Sequence, residues 1–113
     1  NVVERGKAIK QQLGTAFADH PNVGDVRGRG MFIGVEFVAD RDSKQPFDAA
    51  TKTHNRIQLK AMQNGLLCYG MGGTIDGRHG DHILLAPPYN LDDAQQAELV
   101  NKFVDAVRVC LPN

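Results

Sequence analysis

One serine and two cysteines are the only small-side-chain nucleophiles beyond threonine in this 113-residue chain. Ser43 lies in the polar stretch ADRDSKQPFD, which reads as a surface loop and offers no base to activate a hydroxyl. Cys68 and Cys110 form no CxxC pair and sit in apolar runs, so they read as buried reduced thiols, and a reducing cytoplasm is expected. Charge of either sign is not in excess: Lys plus Arg is 13 and Asp plus Glu is 13. That balance gives no field to attract nucleic acid or an anionic membrane. No run of 18 apolar residues suggests a bilayer span, and no charged-then-apolar leader suggests secretion. Neither G-x-x-x-x-G-K-[ST] nor G-x-G-x-x-G between a strand and a helix occurs, so a phosphate cradle is weakly supported.

What is present is an ordinary globular composition, 42% apolar and 23% charged, sized for a single domain over 1–113. Val2, Ile9, Leu13 and Phe17 repeat at helical spacing, predicting a first helix from Val2 to Ala18. Val23 to Arg27 reads as a short strand, with a bend or bulge at Gly28 to Gly30 before an alternating strand from Met31 to Val38. Asp48 is placed to cap a second helix over 49–64, with Ile57, Ala61 and Met62 as its apolar stripe and Asn64-Gly65 as its stop. LLCYG and HILLA read as strands on either side of a long glycine-rich loop, and Pro87-Pro88 ends the second. Asn90 followed three residues later by Asp93 resembles a capping box for a last helix, whose buried face is Ala97, Val100, Phe103, Val107 and Cys110. This order implies an α/β (α+β) two-layer sandwich: a three- or four-stranded, mainly antiparallel sheet with helices packed on one face.

The chemistry concentrates in YGMGGTIDGRHGDHILLAPP, Tyr69 to Pro88, which holds five glycines and one arginine. Arg78 is the best single candidate, since a guanidinium on a pliable loop near a strand end suits a carboxylate through two parallel bonds. An exposed surface arginine is the competing reading. Arg27 and Arg29 are read as structural ion-pairing groups. His79 and His82 flank Asp81, but a zinc site needs further ligands, so Asp81 is expected to accept nearby backbone N–H groups instead. The six lysines, Lys7, Lys10, Lys44, Lys52, Lys60 and Lys102, lie among polar residues and read as solvated charges. No complete catalytic set is present.

VGDVRGRGMFIGVEFV, then GLLCYGMGGTIDGRHGDHILLAPPYNLD, then a final helix resembles the C-terminal small domain of class III aminotransferases, the omega-amino acid transaminases of fold type I. Arg27, Gly28, Gly30, Gly34, Val35 and Glu36 match the family's R-G-x-G-x-x-x-G-[IV]-E. Gly65-Leu66 matches its helix-ending G-L, and Leu84, Ala86, Pro87 and Pro88 resemble its L-x-x-A-P-P, with one residue rather than two between the leucine and the alanine. The resemblance implies a transaminase about four times this length, moving an amino group between an amine or omega-amino acid and a keto acid. Its pyridoxal phosphate and catalytic residues would lie in a large domain absent from this chain, so no catalytic, cofactor or metal residue is assigned here and the chain alone is expected to be inactive. The resemblance also implies a homodimer or higher assembly, and a substrate-binding role for Arg78 at the substrate mouth. The large domain would cover Met71, Pro87, Pro88, Tyr89 and part of the first helix's stripe. A stand-alone module that binds a partner or small acid without catalysis is the alternative.

Overall fold

The computed structural model describes residues 2–29, 32–66, 68–73, 80–87 and 90–111. Among them, three α-helices cover one face of a four-stranded sheet. The elements run α1 (Val2–Ala16), β1 (Val23–Arg29), β2 (Phe32–Phe37), a 3-10 turn (Ala49–Thr51), α2 (Thr53–Gln63), β3 (Tyr69–Gly72), β4 (Asp81–Leu85) and α3 (Asp93–Cys110). The strand order is β1-β2-β4-β3, and every neighbouring pair is antiparallel. The expected two-layer α+β arrangement is therefore present.

Side-chain alternation explains the layers. Ile33, Val35 and Phe37 point from β2 into the core, as do Ile83 and Leu85 from β4. They meet Ile9 and Leu13 of α1, Ile57 and Ala61 of α2, and Phe103, Ala106 and Val107 of α3, all fully buried. Each such aliphatic or aromatic side chain removed from water contributes roughly 1.5–3 kcal/mol. Phe17 bridges the helices, meeting Phe103 edge to face with ring centres 6.2 Å apart. His20 ties the turn after α1 to the end of α3: its Nε2 donates to the Leu111 carbonyl at 2.9 Å and its Nδ1 accepts from the Asn22 amide at 3.1 Å. A ring that donates at one nitrogen and accepts at the other is neutral, with the proton on Nε2.

Several boundaries differ from the sequence reading, each for a local reason. The first helix ends at Ala16, short of Ala18. β1 runs on through Gly28 to Arg29, with a register irregularity between Val23 and Asp25, while Gly30, where the bend between the strands was expected, lies outside the described residues. Asp48 caps the 3-10 turn, its carboxylate accepting from the Ala50 amide at 3.0 Å, so α2 begins only at Thr53. Asn64-Gly65 does stop α2. Gly65 (φ 87°) donates to Met62 and Leu66 to Ala61, the paired bonds of a left-handed helix terminus. Met62, expected in the buried stripe, is half exposed. β3 lies at Tyr69–Gly72 rather than 66–70, and β4 starts one residue early, at Asp81. The capping box of α3 is built from Asp92 and Gln95, not Asn90 and Asp93. Val100, Phe103 and Val107 are buried as expected, Cys110 partly, while Ala97 is exposed.

Candidate functional site

The glycine-rich segment is the connection between β3 and β4, and its neck is well defined. The Gly73 amide donates to the Gly80 carbonyl at 3.0 Å, directly beyond the last ladder pair, Gly72 with Asp81. Gly73 (φ 70°) and Gly80 (φ 111°) take left-handed values that glycine adopts without strain. Arg78 and His79 lie between them, in residues 74–79, outside the described residues.

Strand alternation sends the neck residues in opposite directions. Asp81 faces the helices. Its Oδ1 accepts two bonds from His54 in the first turn of α2: from the backbone N–H at 3.0 Å and from ring Nδ1 at 2.5 Å. The expectation that Asp81 accepts a backbone N–H is met, but by a residue 27 positions away rather than a close neighbour. Nothing in the sequence pattern marks His54, whose role arises from tertiary packing alone.

His82 faces the other way, onto the sheet surface that no helix covers. Arg27 of β1 donates from Nη2 to His82 Nε2 at 2.8 Å, and Glu36 of β2 stands 3.7 Å from the same nitrogen. Because a guanidinium only donates, His82 Nε2 accepts and the ring is neutral. Burial lowers its pKa most, Glu36 pulls it back up, and Arg27 pushes it down again. Arg27 also meets Asp25 at 3.3 Å. The ion-pairing reading of Arg27 thus holds, although its shortest bond goes to a histidine. The side chain of Arg29 lies outside what is described.

At the far end of the hairpin an apolar cleft of about 410 Å³ opens between Leu66, Tyr69, Leu85, Pro87 and Leu99. Among the described residues that line it, the only ionisable group is the Tyr69 phenol. Among the described residues no three His, Cys, Asp or Glu side chains are placed to hold a metal. Cys68 and Cys110 are both free thiols. Burial pushes Cys68 up to about 11 and raises Cys110 as well, which disfavours the reactive thiolate.

Residues 1–107 match the family model for class III aminotransferases. The chain belongs to that family. This class III chain is 40% identical over 112 residues to an uncharacterised aminotransferase of Schizosaccharomyces pombe, covering 96% of the chain and 24% of the relative. Among solved structures, a transaminase from an ancestral-reconstruction study superposes with a TM-score of 0.86 at 34% identity, over 97% of this chain and 23% of that one. An (S)-enantioselective omega-transaminase from Thermomicrobium roseum superposes with a TM-score of 0.83 at 27% identity, over 98% and 23%. The chain therefore spans about a quarter of the length of the relatives it matches. A stand-alone module is not favoured by this pattern of matches.

Class III enzymes are pyridoxal-phosphate enzymes, and the residues described here do not form a site for that group. None of the six lysines is buried, and none lines the cleft. Lys102 is paired with Glu98 at 2.7 Å, and Lys44 donates to the Gly24 carbonyl. No buried polar side-chain atom among the described residues is left without a partner that a ligand would supply.

Proposed function

We propose that residues 1–113 form the C-terminal small domain of a transaminase that moves an amino group between an amine or omega-amino acid and a keto acid. The observation that carries this reading is the class III match along residues 1–107, combined with coverage of only about a quarter of each relative. Pyridoxal phosphate, held by a large domain of the same polypeptide, supplies the electron sink that makes amino-group transfer possible. This domain contributes to the substrate mouth and is inactive alone. The intact enzyme works in the cytoplasm as a homodimer or larger assembly. Free thiols are consistent with that compartment, and no helix among the described residues is long and apolar enough to cross a membrane.

Arg78 is the residue in this chain that binds substrate. Its guanidinium pairs with the substrate carboxylate through parallel charge-assisted bonds. Such bonds are worth roughly 1.5–3 kcal/mol, and 1.4 kcal/mol is about tenfold in affinity. Arg78→Ala in the intact enzyme should therefore lower the preference for carboxylate-bearing substrates over neutral amines by about tenfold to a hundredfold. Equal loss for both substrate types would reject the role. Borohydride reduction of the isolated chain with pyridoxal phosphate gives a separate check, because stoichiometric labelling of one lysine would contradict a cofactor site in the large domain.

A further inference from the structure

We infer that Asn64-Gly65 is a modification site, a point of spontaneous deamidation gated by opening of α2, whose product breaks the clasp between α2 and α3. The chemistry follows from the residue pair. A glycine nitrogen, with no Cβ beside it, can approach the preceding asparagine side chain and attack its carbonyl carbon. A C–N bond forms and closes a five-membered imide. The glycine nitrogen gives up its proton, and the side-chain nitrogen departs as ammonia. Water then opens the ring to aspartate or isoaspartate. The net change is amide plus water to carboxylic acid plus ammonia, and nothing is oxidised or reduced.

The fold uses both residues of this labile pair. Gly65 stops α2 at φ 87°, a value strained for any residue with a side chain. Asn64 is the C-cap of α2 and reaches across to α3, its Nδ2 donating to the Lys102 carbonyl at 3.2 Å and to Asp105 Oδ2 at 3.1 Å. The same contacts restrain the reaction. Two acceptors hold the leaving nitrogen, and the attacking nitrogen donates to the Met62 carbonyl at 3.0 Å. Asn64 has ψ −1°, so the Gly65 nitrogen eclipses the Asn64 nitrogen about the Cα–C bond. A near-planar ring needs it to eclipse Cβ instead. The last turn of α2 must therefore open before the ring closes, and that local opening costs free energy. Conversion turns the clasp against itself. A donor to Asp105 becomes a carboxylate facing it, so like charges replace a hydrogen bond. The new anion also stands at the C-terminus of α2, the negative end of its dipole. The isoaspartate product further adds a methylene to the main chain within the helix stop.

The test incubates the full-length transaminase in mildly alkaline buffer, native and urea-unfolded, and reads acid and isoaspartate at position 64 by peptide mass spectrometry. The unfolded chain should convert at least about tenfold faster than the native one, the factor set by the clasp bonds that must open. Asp105→Ala removes one of the two acceptors and should raise the native rate by about tenfold, the scale of one lost charge-assisted bond. Asp105→Asn keeps an acceptor oxygen and should stay closer to the parent. Asn64→Asp installs the product in advance. It should speed amide exchange at Gly65 and Leu66 by about tenfold, and Asp105→Asn in that background should slow exchange again. Equal conversion in native and unfolded protein overturns the gate. A rate in Asp105→Ala no faster than the parent's overturns the clasp, and unchanged exchange in Asn64→Asp overturns the consequence drawn for α2 and α3.

Discussion

Gly28 and Gly34 lie on paired strands and both match family glycine positions, yet they carry different constraints. A Cβ at Gly28 would stand 2.2 Å from the Phe32 carbonyl oxygen and 2.8 Å from the Ile33 Cα, atoms of the backbone that cannot swing away. At Gly34 the nearest atom is the Arg27 carbonyl oxygen at 3.9 Å, an ordinary contact. Gly28→Ala should therefore destabilise by about 1–3 kcal/mol, while Gly34→Ala should stay within about 0.5 kcal/mol of the parent. Denaturant midpoints of the two variants check this, and equal effects would refute the steric account. His82 makes a second residue-scale prediction. Burial depresses its folded-state pKa below the ordinary 6.5. Above that pH neither state binds the proton, so His82 contributes no pH dependence. As pH falls below 6.5 the unfolded chain takes the proton first, and stability is lost until the folded value is reached. Urea unfolding between pH 7.5 and 5.5 should show a smaller acid loss for His82→Gln than for the parent, and identical losses would reject the assignment.

At the scale of elements, capping chemistry shows what a sequence does and does not reveal. The alternation of β2 and the helical repeat of α1 were legible because burial on one face imposes a period that local sequence must carry. The glycine stop of α2 was legible because few residues accept a left-handed φ. Cap positions were not, since Asn90, Asp92 and Asp93 crowd the start of α3 and only backbone geometry selects among them. Asp92 takes an extended conformation (φ −91°, ψ 176°), accepts from the Gln95 amide at 2.7 Å and receives the return bond from the Gln95 side chain at 3.0 Å. Asp93 instead meets Arg5 of α1 at 2.7 Å. Asp92→Ala should cost about 0.5–2 kcal/mol, and Asn90→Ala should fall within about 0.5 kcal/mol of the parent. Thermal unfolding of the pair decides it. The reverse order of effects would restore the Asn90 cap. The start of α2 was illegible for a different reason: its cap, Asp81, arrives from β4, and sequence spacing carries no signal of that approach.

At the scale of the whole molecule, the helices cover one face of the sheet, and among the described residues no helix covers the other. Arg27, Glu36 and His82 form a polar row across that open face, and Phe32 (56% exposed) and Met71 (42%) stand on it beside them. Tyr69, on the edge strand, is 52% exposed. Met71 was legible as an exposed apolar residue, but Pro87 is buried, and so are Ile9, Leu13 and Phe17 of the α1 stripe. Pro88 and Tyr89 lie outside the described residues. Phe32 was hidden in the sequence because a strand with glycine opposite an apolar row looks covered on both faces. In the proposed intact enzyme an interdomain contact, on the order of 600–1,500 Å², would shield such a surface. Residues 1–113 taken alone would lack that contact, and exposed apolar patches beyond a few hundred Å² tend to find partners. A second copy of the chain is the available occupant, so the isolated domain should self-associate weakly through the open face. Light scattering across a concentration series should show mass rising toward the dimer by about millimolar, where contacts of about −4 kcal/mol register. Phe32→Ser together with Met71→Ser should return it to monomer without shifting the unfolding midpoint by more than about 0.5 kcal/mol, the usual range for surface positions. A parent chain that stays monomeric throughout the series, or a double variant that associates just as well, would show that this face is not the one that seeks a partner.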